Sequence, residues 1–274
     1  MDNIDIGDAH IPKLGFGTFE LRGKAARDMV SRAIETGYRH IDTAQMYGNE
    51  TEVGRGIRDS GIERDNLWVT TKVWPDRFRD GDFQRSVAES LDRLDVGAVD
   101  LLLLHWPSGE VPLAETINAL NEVRDGGLTR HIGVSNFTVA LLNQAVSLST
   151  APLIGNQVEY HPYLSQKPVL DALRRHGMAL TAYCPLAKGR VFDDSTLARV
   201  AANHDKQPGQ VVLRWHYQQH GVAAIPRSSR PEHMRANFDI FDFRLTDAEM
   251  NEISGLAQPR GRLINPAGLA PQWD

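Results

Sequence analysis

The sequence feature that most constrains the fold is a short apolar or β-branched run that recurs eight times, separated by segments with helical periodicity. In residues 23–37, for example, Met29 and Ala33 lie on one face of the predicted helix. The eight predicted strands are residues 14–18, 39–44, 68–73, 99–105, 131–136, 153–159, 179–185 and 222–226. Eight strand-helix units in succession predict an α/β fold, a closed (β/α)8 TIM barrel, with a doubly wound parallel sheet as the structural alternative.

Both ends of the chain carry segments outside these units. Residues 4–17 ("IDIGDAHIPKLGFG") predict a small N-terminal β-hairpin that turns at Gly7 and Asp8. Residues 245–256 ("LTDAEMNEISGL") predict an extra C-terminal helix, which a tail follows. Because no Pro/Ser-rich linker or change of composition interrupts the chain, we expect residues 1–274 to form a single barrel domain.

Composition excludes several classes of partner. The 274 residues are 41% hydrophobic and 24% charged, with a net charge of -5, which is typical of a globular protein and lacks the basic excess of nucleic-acid binders. The N-terminus has no signal-peptide pattern, and the longest apolar run, residues 99–105, has the length of a strand. We therefore expect a cytoplasmic protein without nucleic-acid or membrane partners. The single cysteine, Cys184, excludes a disulfide framework within the chain.

Polar side chains lie at the ends of nearly all the predicted strands, where a barrel carries its active site. These strand-end residues are Asp42, Tyr47, Lys72, His105, Ser135, Asn136, Gln157, Tyr183, Arg227, Ser228 and Arg230. One such residue commonly caps a loop, but this many converge on one mouth of the barrel and predict a functional site there. His40 shares the strand face of Asp42 but lies deeper, so we expect it to pack inside the barrel.

Four of these residues suit proton donation to a carbonyl oxygen. A phenol has a pKa of about 10, and an ammonium about 4 Å away would favour the phenolate by roughly 4 kcal/mol. Lys72 can therefore be expected to lower the pKa of Tyr47, provided that Asp42 keeps Lys72 charged. Tyr47 would then be the general acid, while His105 orients or polarises the carbonyl oxygen.

A carbonyl carbon that is protonated on oxygen needs a hydride, which indicates a nicotinamide cofactor. Ser135, Asn136 and Gln157 are suitable hydrogen-bond partners for its carboxamide, and Tyr183 offers a flat surface for its ring. Residues 15–20 ("GFGTFE") do not complete a G-x-G-x-x-G motif, and no dinucleotide-binding strand-loop-helix unit surrounds them. The cofactor is therefore expected to bind the barrel itself.

The motifs along the chain resemble those of the aldo-keto reductases, essentially from end to end. The matching stretches are "GFGTF", "GYRHIDTAQMYGNE", "VTTKVW", "VDLLLLHWP", "IGVSNF", "NQVEYHPYL", "TAYCPLAKG" and "AIPRSS". The resemblance implies a metal-free barrel enzyme that delivers hydride from NADPH to aldehydes and ketones, with Asp42, Tyr47, Lys72 and His105 as its catalytic residues. It also implies a set of cofactor-binding residues: Gly17, Thr18, Asp42, Ser135, Asn136, Gln157, Tyr183, Leu186, Arg227, Ser228, Arg230, His233 and Asn237.

The segment after the eighth predicted strand departs from this family pattern. Members that favour NADPH generally carry Lys-Ser there and an Arg six residues after the Lys, whereas this chain has Arg227, Ser228 and His233. Arg227 and Arg230 still supply cations for the 2'-phosphate, but an imidazole is mostly neutral at neutral pH. NADPH is the expected cofactor, with NADH as the weaker alternative.

Large side chains flank the proposed mouth and predict an apolar pocket for a small carbonyl substrate. The residues expected to contact the substrate are Phe19, Met46, Trp74, His105, Trp106 and, from the tail, Trp273. Within the family, the strongest resemblance is to bacterial reductases of 2,5-diketo-D-gluconate and methylglyoxal, so these compounds and aromatic aldehydes are the expected substrates. Family analogy also makes a monomer the expected state.

Other functions remain as alternatives. Lys72 at a strand end could form a Schiff base, as in barrel aldolases, although Asp42 as its partner would favour an ammonium. His216 and His220 have i, i+4 spacing without the H-E-x-x-H pattern, so we expect them on a solvated helix face and expect no metal site. A cofactor-binding barrel subunit without turnover would carry the same residues.

Overall fold

The computed structural model describes residues 1–274, and its centre is a sheet of eight parallel strands whose spatial order follows the chain order. A doubly wound sheet would reverse its strand order at a switch point, so that alternative does not apply. Between the two outer strands, Leu14 forms a parallel bridge with Ala224, and Gly15 N donates to Ala224 O at 2.8 Å. The eight strands are β3 (Phe16–Gly17), β4 (His40–Asp42), β5 (Trp68–Val73), β6 (Val99–Leu104), β7 (Thr129–Ser135), β8 (Leu153–Glu159), β9 (Ala179–Tyr183) and β10 (Val222–Ala224).

Helices follow the strands and cover the outside of the sheet, as in a (β/α)8 fold. The helices are α1 (Gly23–Thr36), α2 (Glu50–Asp59), α3 (Asp82–Leu94), α4 (Leu113–Asp125), α5 (Val139–Leu148), α6 (Lys167–His176), α7 (Ser195–Asn203), α8 (Pro208–Gln218), α9 (Pro231–Phe238) and α10 (Asp247–Ser254). Between β9 and β10 the chain forms a 3-10 segment, Ala187–Asp193, followed by α7 and α8. The helix α10 follows the last unit and begins with a capping box between Thr246 and Glu249.

An antiparallel hairpin of β1 (Asn3–Ile6) and β2 (Ala9–Pro12) precedes the sheet, with Gly7 at φ +60° in its turn. Its buried residues Ala9 and Ile11 pack with Trp68, Leu101 and Ile154 from the parallel strands, near their N-terminal ends. The hairpin therefore covers that end of the sheet, and the opposite end, where the strands finish, carries the polar loops.

Two outer strands are shorter than predicted. Residues 14–18 contribute only Phe16–Gly17 as regular strand, and residues 222–226 contribute only Val222–Ala224. The reason is local, because these two outer segments pair with each other only through the single bridge of Leu14 with Ala224 and not through a long ladder. No helix of the structure is long and apolar enough to cross a membrane.

Two histidines illustrate how burial decides a role. His40 is 1% exposed inside the barrel, beside Thr70 and the Pro12 carbonyl, as the sequence predicts. The prediction for His216 is wrong, because this residue is fully buried in α8 and contacts the carbonyls of Val212 (2.8 Å) and Tyr160 (3.0 Å). Burial lowers the pKa of His216 to about 4, so the imidazole is neutral at neutral pH.

Candidate active site

Four polar side chains meet at the C-terminal ends of β4, β5 and β6. Asp42 is the last residue of β4, Lys72 lies near the end of β5, and His105 follows β6 directly. Tyr47 comes from a short 3-10 turn, Gln45–Tyr47, that follows β4. All four side chains are buried, and their convergence follows from parallel strands ending at the same edge of the sheet.

The ammonium of Lys72 is the centre of this group. Its Nζ donates to Asp42 Oδ1 at 2.6 Å, to the Thr43 carbonyl at 2.8 Å and to Tyr47 Oη at 3.4 Å. Three acceptors match the three hydrogens of an ammonium, whereas a neutral amine would have only two. The geometry therefore favours the charged form, although burial lowers the pKa of Lys72 and the Asp42 carboxylate opposes that shift.

The phenol of Tyr47 behaves differently from the sequence-based expectation. Burial, and after it the negative charge of Asp42, raise the pKa of Tyr47 well above its usual value. The expected lowering by Lys72 is therefore wrong, because loss of hydration disfavours the phenolate more than the ammonium 3.4 Å away favours it. Tyr47 is protonated at neutral pH, which is the state that a proton donor needs.

His105 stands next to this phenol as a neutral imidazole. Its ring packs edge-on against Tyr47, with ring centroids 5.7 Å apart, and against Trp74 at 5.0 Å. Burial, and then the charge of Lys72, lower the pKa of His105 well below its usual value. The Nδ1 atom is buried without a hydrogen-bond partner. A neutral imidazole carries one N–H, which suits a hydrogen bond to a substrate oxygen.

Four amide and hydroxyl side chains form a hydrogen-bonded row beside this group. Gln157 Nε2 donates to Asp42 Oδ2 at 2.7 Å, and Ser135 Oγ donates to the Gln157 carbonyl at 2.8 Å. Asn136 Nδ2 donates to the His105 carbonyl (3.0 Å), and Tyr183 Oη donates to Asn136 Oδ1 at 2.7 Å. The residues predicted to bind the nicotinamide are therefore connected to the carboxylate of Asp42 through Gln157.

Gly17 and Thr18 support this arrangement from the first parallel strand. Thr18 N and Oγ1 both donate to the Asp42 carbonyl, each at 3.0 Å, so this strand fixes the backbone that carries the carboxylate. A Cβ on Gly17 would lie 2.9 Å from the Ile225 carbonyl, which requires a glycine where β3 approaches the end of β10. Thr18 is fully buried, and its hydroxyl already serves the protein.

The predicted phosphate-binding residues lie together at the loop after β10 and in α9. Arg227 Nε donates to the Phe19 carbonyl at 3.0 Å, and its Nη2 pairs with Glu20 at 2.9 Å. The hydroxyl of Ser228 accepts from Arg230 N at 3.1 Å, immediately before α9. His233 is exposed in the first turn of α9, and Asn237 is buried in its last turn. Leu186, the remaining predicted contact, immediately precedes the 3-10 segment after β9.

Large side chains from several loops lie around the mouth. Phe19 packs on Tyr47 with ring centroids 5.0 Å apart and is 46% exposed, and Met46 is 41% exposed. Trp106 is buried, and the ring of Trp273 lies 6.2 Å from it. The Asp274 carboxylate accepts from Val139 N at 2.8 Å, which fixes the end of the tail beside α5.

A cleft of about 780 Å³ lies elsewhere in the protein. It opens beside the hairpin and the N-terminal ends of the parallel strands, with Trp68, Asp100 and His131 in its wall. It is lined by none of the four residues Asp42, Tyr47, Lys72 and His105. A cleft alone is therefore a poor guide to the site in this molecule, and the group of polar side chains at the other end of the strands is the candidate with catalytic chemistry.

Comparison with known proteins identifies the family. The aldo/keto reductase family model matches residues 13–258. The chain belongs to the aldo/keto reductase family. It is 41% identical to methylglyoxal reductase DkgB of Escherichia coli O157:H7 over 267 residues. The aligned region covers 96% of this chain and 99% of that relative.

Solved structures agree with this family. A protein provisionally named 2,5-diketo-D-gluconic acid reductase B superposes with a TM-score of 0.98 and 49% identity, covering 100% of this chain and 98% of that chain. A Bombyx mori aldo-keto reductase in complex with NADP superposes with a TM-score of 0.87 at 33% identity, covering 93% of this chain and 92% of that chain. As an aldo/keto reductase, this chain is an oxidoreductase that uses a nicotinamide cofactor.

The donor set at the mouth fits that cofactor. Because Gln157 Nε2 donates to Asp42, the Oε1 atom of the same amide is left as an acceptor for a carboxamide N–H. The hydroxyl of Tyr183 donates to the side chain of Asn136. The residues that the family resemblance assigns to the nicotinamide, Ser135, Asn136, Gln157 and Tyr183, are thus neighbours in the fold.

Sequence reasoning missed three charged residues of this aldo/keto reductase. Glu20 pairs with Arg227, and Glu159 is fully buried and accepts from the backbone of the tail. Arg262 stacks on Trp273 with its guanidinium 3.5 Å from the ring centroid. A carboxylate at the end of the sixth predicted strand could have pointed to Glu159, but no local pattern marks Arg262, because its neighbours come from distant parts of the chain.

Proposed function

We propose that this protein reduces small aldehydes and ketones to alcohols with NADPH, and that Tyr47 donates the proton. The observation that carries the proposal is the buried contact of Lys72 with both Asp42 (2.6 Å) and Tyr47 (3.4 Å). Methylglyoxal, 2,5-diketo-D-gluconate and aromatic aldehydes are the proposed substrates, supported by the names of the relatives and by the aromatic rim of the mouth.

The bound nicotinamide would supply a hydride, that is, one proton together with two electrons, to the carbonyl carbon. Tyr47 then transfers its phenolic proton to the carbonyl oxygen as negative charge develops there, which completes the alcohol. The Lys72 ammonium, 3.4 Å from Tyr47 Oη, stabilises the phenolate that this transfer leaves behind. The neutral imidazole of His105 donates its N–H to the same substrate oxygen and orients it.

A turnover assay tests this function directly. Purified protein and NADPH are mixed separately with methylglyoxal, 2,5-diketo-D-gluconate and 4-nitrobenzaldehyde, and the loss of NADPH is followed with and without substrate. Turnover with at least one carbonyl compound is expected. Binding of NADPH without any oxidation would instead favour the cofactor-binding barrel without catalysis.

The Schiff-base alternative needs a neutral amine at Lys72. The three acceptors around its Nζ leave no free lone pair for attack on a carbonyl, so an aldolase reaction is disfavoured. Borohydride trapping of a substrate on Lys72, without consumption of NADPH, would support the aldolase and contradict the reductase.

The pKa directions predict the pH dependence of carbonyl reduction. Because burial raises the pKa of Tyr47, the acid form persists above neutral pH, and kcat for reduction should stay flat between about pH 6 and 9. His105 stays neutral over the same range, since its pKa is lowered. The measurement is kcat against pH at saturating substrate and NADPH. A fall in kcat around pH 7 would mean that Tyr47 is deprotonated there and that its pKa is lowered.

The exposed His233 offers a test of the proposed 2'-phosphate contacts. Replacing His233 with Arg adds a cationic fork to the first turn of α9, so the Kd for NADPH should fall about ten-fold while that for NADH changes little. Fluorescence titration with each cofactor measures both constants. Asn251→Arg, on the exposed side of α10, adds the same charge as a control. If the Kd values for NADPH and NADH fall by the same factor, the assignment of His233 to the 2'-phosphate is refuted.

A further inference from the structure

Arg262, in the tail after α10, is a largely buried cation whose guanidinium makes no hydrogen bond within the protein. Its side chain is 16% exposed, and its Nη1 is one of three buried polar side-chain atoms in the protein that have no partner. Buried guanidinium groups ordinarily have carboxylate or carbonyl partners, because loss of hydration is costly for a charge. The guanidinium of Arg262 is therefore available to a ligand that accepts hydrogen bonds.

The two carboxylates near Arg262 are occupied by other donors. Glu159 approaches the guanidinium only to 3.9 Å, while its oxygens accept from His161 Nε2 (2.9 Å), Leu263 N (2.7 Å) and Ile264 N (2.9 Å). The Asp274 carboxylate accepts from the backbone of α5. Both reduce the local positive charge, but neither is hydrogen-bonded to Arg262, whose donors remain available.

Aromatic packing fixes the position of this guanidinium beside the mouth. It lies over the ring of Trp273 at 3.5 Å from the centroid, and Trp273 packs on Trp106, the residue after His105. Its charge is also close enough to Tyr183 to oppose the rise in the pKa of that phenol on burial. Stacking of this kind holds the planar fork in one orientation before a ligand arrives.

We propose that Arg262 binds a carboxylate of the substrate, and that the enzyme therefore prefers carbonyl compounds that also carry an acid group. The proposal rests on the carbonyl-reductase function above and adds a substrate class and a specificity-determining residue to it. The carbonyl of such a substrate lies at Tyr47 and His105, while its carboxylate accepts from the guanidinium. Arg suits this role because its N–H groups match two carboxylate oxygens at once.

A matched pair of substrates separates charge recognition from general reactivity. Succinic semialdehyde and its methyl ester present the same aldehyde with and without the carboxylate. At saturating NADPH, we expect the wild-type protein to show a KM for the acid about ten-fold or more below that for the ester. If the wild-type protein reduces both with equal KM, or prefers the ester, the proposal is overturned while the reductase function stands.

Substitution of Arg262 then assigns the preference to this residue. Arg262→Gln should raise the KM for the acid about ten- to a hundred-fold, leave kcat nearly unchanged and leave the KM for the ester within about two-fold. Arg262→Lys keeps the charge without the fork and should fall between wild type and Arg262→Gln. The control is Arg260→Gln, two residues earlier and exposed, which should leave both constants unchanged.

The opposite result is also specific. If Arg262 serves only as a counter-ion that holds the tail near Glu159, both substitutions would change the acid and the ester equally. Should Arg262→Gln not fold, the comparison of wild type with Arg262→Lys decides the matter. If the wild-type protein turns over neither the acid nor the ester, the result counts against the reductase function itself.

Discussion

Replacement of Tyr47 by Phe is expected to remove nearly all carbonyl reduction while leaving cofactor binding unchanged. The phenylalanine ring keeps the packing against Phe19 (5.0 Å) and His105 (5.7 Å), so the walls of the site remain. Only the hydroxyl is lost, and with it the proton donor that receives a hydrogen bond from Lys72. General acid catalysis of this kind contributes about 10²- to 10⁴-fold, and kcat should fall by that factor.

The measurement combines kcat at saturating substrate with the Kd for NADPH by fluorescence. Tyr38→Phe is the matched control, because Tyr38 is also buried but donates to the Met234 carbonyl, away from Lys72 and His105. It should reduce thermal stability slightly and leave kcat intact. Retention of kcat in Tyr47→Phe would show that Tyr47 is a packing residue and that the proton comes from another group.

The sequence was sufficient to predict which residues meet at the mouth. Asp42, Lys72 and His105 lie far apart in the chain, but each lies at or next to the end of a strand, and parallel strands of one sheet end at one edge. Hydrophobic periodicity therefore determines their proximity without any knowledge of side-chain contacts. The amide row follows from the same rule, since Ser135 and Gln157 are register partners on β7 and β8.

Properties that depend on burial could not be predicted in the same way. The direction of the pKa shift of Tyr47 is set by how much hydration it loses, which sequence spacing does not report. His216 likewise lies in a helix whose polar residues resembled a solvated face, but the Tyr160 carbonyl covers it. Arg262 escaped notice because its neighbours, Glu159 and Trp273, are brought to it by the folded tail.

Removal of the ammonium by Lys72→Met is the second substitution with a large expected effect, and it should lower both activity and stability. Asp42 would keep only Gln157 as a side-chain partner while 1% exposed, so its charge would be buried without compensation. Breaking one side of a buried ion pair costs about 3–5 kcal/mol in the free energy of unfolding. Loss of phenolate stabilisation should also lower kcat about 10²-fold or more.

A double-mutant cycle separates these two effects. Asp42→Asn with Lys72→Met removes both charges together, so the free energy of unfolding should recover most of what Lys72→Met loses, whereas kcat should not recover, because the cation beside Tyr47 is still absent. Urea unfolding and kcat are measured for both single variants and the double variant. Lys24→Met, which breaks an exposed helical pair with Asp28, is the control and should change neither quantity measurably. If the double variant is as unstable as Lys72→Met, the destabilisation comes from lost packing of the long side chain and not from the unpaired charge. If kcat is restored in the double variant, proton donation by Tyr47 does not depend on Lys72.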